Sequence, residues 1–153
     1  MQQCSNSSAK ALNNMNFSVG DSAEITKTIE QADIHLFAEV TGDHNPVHLD
    51  EAFAHTTRFG RTIAHGMLTA SLISAVLANK LPGEGSVYLG QTLKFVAPVF
   101  PGDEVTARVT VKEIREDKPI MKLETVCVNQ HNETVIRGEA TVLVYSSPRK
   151  ESA

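Results

Sequence analysis

Apolar positions follow two main regimes along this chain: helical intervals from Ile29 to Lys80, alternation after it. Ser22 to Ile29 alternates loosely and predicts a first strand. Thr28 stands three residues before Gln31, the spacing of a capping box, and Ile29, Ala32, Leu36, Phe37 and Val40 then recur as one apolar stripe of a helix. Gly42 falls where a helix C-terminal glycine belongs, so this helix ends one residue before Asp43. Asn45-Pro46 demands extended backbone, because proline disfavours a helical residue before it. Asp50 can cap a short turn through Ala54, and Thr56 to Thr62 reads as loop. From Ala64 to Asn79 there is no Asp, Glu, Lys or Arg. Met67, Leu68, Leu72, Ile73, Val76 and Leu77 occupy more than one face there, which predicts a helix buried nearly all round. Leu81-Pro82-Gly83 stops it.

The second half reads as strand. Leu89, Gln91, Leu93, Phe95, Ala97 and Val99 share one parity, as do Val105, Ala107, Val109 and Val111 in the next run. Met121, Leu123, Thr125 and Cys127 follow a turn near Asp117-Lys118-Pro119, and Ile136, Ala140, Val142 and Val144 form the last apolar face. The pattern predicts an α+β fold: one apolar helix with several long antiparallel strands, curled around it because little else can cover it.

At 153 residues the chain suits one domain, expected over 17–146, with a disordered polar tail at 1–16 and a second polar tail at 147–153. Apolar residues make up 41% and charged residues 21%, the balance of an ordinary globular protein. The net charge of −4, with Lys and Arg dispersed, points away from nucleic acid. Cys4 and Cys127 offer no disulfide framework, and Cys127 in its strand reads as a small buried hydrophobe. The longest apolar segment falls short of the roughly 20 residues a spanning helix needs. The terminal Lys150-Glu151-Ser152-Ala153 is no Ser-Lys-Leu address. The expected setting is cytoplasmic.

Chemistry concentrates where the helical half loses its regularity. Asp43 and His48 lie five residues apart on irregular backbone after a helix end, and His65-Gly66-Met67 opens the apolar helix. A carboxylate and an imidazole on a loop held by rigid elements can be aimed at one water. A glycine amide at a buried helix start can receive a developing oxyanion. A metal could be held by Asp43, His48, His65 and Asp50, but no recognised ligand spacing is present. A serine-hydrolase elbow and a dinucleotide fingerprint are both missing. His35, His55 and His131 read as solvated, and Asp103 as part of the turn Pro101-Gly102-Asp103.

Three motifs in order add a resemblance: Gly42-Asp43-x-Asn45-Pro46-x-His48, Ala64-His65-Gly66-Met67, and Phe95-x-x-Pro98-Val99-x-x-Gly102-Asp103. Together they resemble the MaoC-like (R)-specific enoyl-CoA hydratase family, from about Phe17 to Val144. The resemblance implies a hot-dog fold, with Asp43 and His48 as the catalytic dyad and Gly66 as the oxyanion amide. It assigns Ser74 to orienting the histidine region and places Asn45 in the motif, where it shapes the loop. It implies no metal, flavin or nicotinamide, an acyl-CoA thioester substrate, and a homodimer or higher assembly with sites near the interface. The alternatives are a dehydratase of related fold acting on acyl-carrier-protein thioesters and a non-catalytic acyl-thioester binding module. Coenzyme A carries phosphates, so a local basic patch is expected, though sequence order alone does not assemble one.

Overall fold

The alternating half of the chain does form the expected sheet. In the computed structural model, which describes residues 17–145, five antiparallel strands pair in the order β1-β3-β4-β5-β2. The two tails expected at 1–16 and 147–153 lie outside the described residues. The strands are β1 (Ser22–Thr28), β2 (Val87–Phe95), β3 (Glu104–Ile114), β4 (Ile120–Val128) and β5 (Thr134–Leu143). Between β1 and β2 run the helices α1 (Gln31–Thr41), α2 (Pro46–Leu49), α3 (Glu51–His55) and α4 (Gly66–Asn79). Registers such as Ile25 opposite Ala107, Val109 opposite Thr125 and Leu123 opposite Ala140 put one parity of each strand on a common face. Val105, Ala107, Val109 and Val111 are buried there, with Met121, Leu123, Cys127, Ala140 and Val142. Helix α4 packs Leu72, Ile73, Val76 and Leu77 into the same core. This is the hot-dog arrangement, a sheet curled around one helix.

Three expectations need correction. The capping box at the start of α1 is built by Glu30 and Asp33, not by Thr28 and Gln31. In α1 the buried residues are Ile34 and Ala38, whereas Leu36 and Val40 of the expected stripe are 65% and 78% exposed. This segment carries apolar residues on two faces, so periodicity identifies a helix without choosing the face that meets the sheet. Helix α4 is not covered all round either. Met67, Ser71, Ser74 and Ala78, one helical row, face outward in the single chain.

Strand β2 explains that open face. Among the described residues it pairs only with β5, ends the sheet, and leaves Tyr88, Leu89 and Phe95 exposed. At the other end of the site, a short ladder fixes the connection that carries the third motif. The N–H of Gly102 donates to Ile29 O (2.7 Å) and that of Ile29 to Asp103 O (2.9 Å). The buried Asp103 carboxylate accepts from Phe100 N and from Gln130 Nε2, which is the structural role the turn implied. Ala64 N then donates to Val99 O (2.7 Å), tying the start of α4 to this connection and so locating His65 and Gly66.

Candidate active site

The loop between α1 and α3 is built from local bonds that its sequence specifies. Gly42 closes α1 in the left-handed region (φ 78°), with its N–H on Ala38 O at 2.8 Å. The Asp43 carboxylate then accepts from Asn45 N (3.2 Å), and Asn45 Oδ1 caps α2 by accepting from Val47 N (3.1 Å). With Pro46 at the first position of α2, this turn presents Asp43 to solvent and swings His48 inward. Asn45 is therefore a loop-shaping residue whose side chain does not line the cavity described below.

His48 is half-buried, and its Nδ1 stands 2.7 Å from Ile63 O. A carbonyl can only accept, so Nδ1 carries the hydrogen and Nε2 keeps its lone pair. Burial pushes the His48 pKa below its ordinary value, against the opposing pull of the Ile63 carbonyl; the neighbouring His65 adds to the lowering and Asp43 resists it. The imidazole is thus neutral at pH 7, with a free basic nitrogen.

His65 is the strut behind this pair. It is 2% exposed and lies between the rings of Phe37 (centroids 4.8 Å apart) and His48 (3.9 Å). Its Nε2 donates to the main-chain oxygen of Asp43 at 3.0 Å. One side chain therefore positions both the backbone of Asp43 and the ring of His48. In the sequence His65 stands out only as the opening of the apolar helix and as a possible metal ligand. The bond to Asp43 spans 22 residues and depends on how α4 returns against the loop.

Asp43, His48 and Gly66 open into one cavity of about 390 Å³, walled by Phe95, Val99 and Ile136. Gly66 begins α4, and no acceptor among the described residues takes its N–H. A methyl group there would stand 2.6 Å from Cε1 of Phe95, so glycine is what lets the cavity wall approach the helix start. Thr69, one turn further on, lines the same cavity with a buried hydroxyl that has no partner among the described residues. Nothing in the sequence distinguished Thr69 beyond its place four residues after His65. Ser74 is not brought to the dyad. It lies about 12 Å along the helix axis from Gly66, on the outward face, and lines a separate groove with Phe37, Met67, Tyr88 and Leu89.

Asp43, His48 and His65 offer ligand atoms within 4.8 Å of one another, the arrangement a metal would need. Hydrogen bonding weakens that set. His65 has Nε2 committed to Asp43 O and Nδ1 buried without a partner, which leaves Asp43 and His48 Nε2 to face the cavity. Asp50 is elsewhere, capping α3 through Phe53 N. Among the described residues no helix is long and apolar enough to cross a membrane.

Comparison with known proteins bears directly on this geometry. The family model for the MaoC like domain matches residues 16–134. The chain belongs to the MaoC-like family. It is 52% identical over 124 residues to the (R)-specific enoyl-CoA hydratase of Aeromonas caviae, covering 81% of this chain and 92% of that protein. The solved (R)-hydratase of A. caviae involved in PHA biosynthesis superposes with a TM-score of 0.83 at 50% identity, covering 85% of this chain and 98% of that one. A mitochondrial 3-hydroxyacyl-[acyl-carrier-protein] dehydratase of Arabidopsis thaliana is 39% identical over 129 residues, or 82% of this chain and 76% of that protein. This MaoC-like protein thus shares the hot-dog fold of the A. caviae (R)-hydratase.

Proposed function

We propose that this MaoC-like protein is an (R)-specific enoyl-CoA hydratase, adding water reversibly to trans-2-enoyl-CoA to give (3R)-3-hydroxyacyl-CoA. The observation that carries the reading is the meeting of Asp43, the free face of His48 and the Gly66 helix start in one cavity with apolar walls. Hydration adds the oxygen of water to the β-carbon and a proton to the α-carbon, while negative charge builds on the thioester oxygen. Asp43 and His48 hold one water between them. The dyad takes one of its protons as the C–O bond forms and returns one proton to the α-carbon on the same face. The Gly66 N–H, unpaired at the start of α4, receives the oxyanion. His65 holds the dyad in register, Asn45 shapes the loop beneath it, and Ser74 is assigned no step.

The working unit in this proposal is a homodimer. Strand β2 has an edge unpaired among the described residues, and Met67 (56% exposed), Tyr88 and Leu89 line an apolar groove beside it. A second copy paired through that edge would cover the outward row of α4 and extend the sheet. Met67 borders this groove and also the cavity, so each site would lie near the interface. The cytoplasmic setting expected from the sequence is part of the same proposal.

The direct test is loss of conjugated-thioester absorbance when the protein is added to crotonyl-CoA. Coupling the product to an S-specific 3-hydroxyacyl-CoA dehydrogenase should give almost no signal, because the product of this proposal is the R enantiomer. A strong signal there sinks the R-specific assignment. The likeness to the Arabidopsis dehydratase favours acyl-carrier-protein thioesters as the second reading. Turnover of matched substrates on the two carriers separates them.

A further inference from the structure

The loop between α3 and α4 carries two cations that the chemistry above leaves unused. Arg58 lines the cavity that holds Asp43 and His48, and its guanidinium sits over the ring of Phe59, which lines the cavity too, at 4.9 Å. Arg61 sits over Phe100 at 3.9 Å. Neither takes part in an ion pair among the described residues. The loop beneath them is well tied. Thr57 bonds to Ala54 O through its hydroxyl (2.6 Å) and its N–H (3.0 Å), and the Thr57 hydroxyl accepts from Phe59 N (3.3 Å). Stacking on an aromatic ring presets a guanidinium while leaving its N–H groups free to bond. The chain as a whole carries a net charge of −4, so Arg58 on this cavity's wall supplies a cation against the global sign.

We propose that Arg58, with Arg61 three residues on in the same loop, anchors the phosphates on the pantetheine arm of the substrate. This rests on the hydratase reading. With the enoyl group at the dyad, the arm leaves through the mouth, where Arg58 is exposed. A guanidinium meets a phosphate with two parallel hydrogen bonds, a fit that lysine lacks. Arg58 and Arg61 are thus carrier-recognition residues, binding substrate and transition state alike, and their loss raises KM without lowering kcat.

The experiment compares crotonyl-CoA with crotonyl-pantetheine, which has the same reacting end and no phosphate. Arg58→Ala should raise KM for crotonyl-CoA about tenfold with kcat within about twofold, as expected for loss of a charge-assisted contact. The rise should be larger in the Arg58→Ala/Arg61→Ala double variant, and KM for crotonyl-pantetheine should not move. Arg58→Lys should fall between, and Lys118→Ala, which removes a distant charge, should match wild type. On crotonyl-carrier protein, a parallel KM rise assigns the phosphate common to both carriers, and no rise assigns the nucleotide's own phosphates. An unchanged KM for crotonyl-CoA, or an equal loss on both small thioesters, overturns the assignment. Wild-type protein inert towards every thioester would instead overturn the hydratase reading.

Discussion

Adding one methyl group at Gly138 and at Gly66 should give opposite outcomes, because the two positions face different kinds of neighbour. At Gly138 on β5 a Cβ would stand 1.8 Å from the main-chain oxygen of Thr92 on β2 and 3.1 Å from Gln91 Nε2. Carbon and carbonyl oxygen come no closer than about 3.3 Å, so β2 would have to retreat by roughly 1.5 Å. That displacement breaks the neighbouring rungs of the β2–β5 ladder and pulls the Gln91 amide from the buried Thr125 hydroxyl it reaches at 2.9 Å. Three or four hydrogen bonds at about 1 kcal/mol each give a loss of about 3–4 kcal/mol, or a fall in Tm of about 10 °C for a domain of this size. At Gly66 the clash is with the Phe95 ring (2.6 and 2.7 Å), an exposed side chain that can turn aside. An off-rotamer ring costs about 1 kcal/mol, and replacing glycine in a helix returns about 0.5–1 kcal/mol, so stability should hardly change. The ring is nonetheless a wall of the cavity, and a shift of about 1 Å beside the reacting group should lower kcat on the order of a hundredfold. Thermal melts and crotonyl-CoA turnover on Gly138→Ala and Gly66→Ala read both effects. A Gly138→Ala melt within about 2 °C of wild type, or a Gly66→Ala variant with full turnover, would refute the reasoning.

Asp43→Asn and His48→Ala should each lower kcat by about two to four orders of magnitude, and the double variant should be far less impaired than the product of the two losses. Near-wild-type turnover in Asp43→Asn with an unchanged melt would remove it from the mechanism. The acid limb of kcat/KM should titrate below the ordinary histidine value of about 6.5, because burial holds His48 neutral. The stability contribution has the same sign: below that value the unfolded chain binds the proton more readily, so stability is full above it and falls as pH drops towards the folded pKa. A limb centred above pH 7 would contradict the buried, neutral imidazole. Leu89→Lys on the open edge should yield monomers with little activity, and sedimentation of a fully active monomer would refute the dimeric site.

Much of this site is local enough to be legible in one dimension. Gly42 ends α1, Asp50 caps the short helix that follows it, and alternation in β3 and β4 names their buried faces, because each depends on neighbours a few residues away. The order of the three motifs carried the family. What tertiary structure alone decided is which of several apolar faces is covered and which distant groups meet. Leu36, Val40 and Met67 are as apolar as the core residues beside them, yet they face outward because the sheet curls over the other side of their helices and ends at β2. Ser74 shares a helix with Gly66 but not a face with the cavity. His65 reaches Asp43, the unpaired Thr69 hydroxyl enters the cavity, and Arg58 comes to its mouth only after α4 has folded back against the loop. Periodicity records which residues share a face. Whether that face meets protein, partner or substrate is a property of the packed chain.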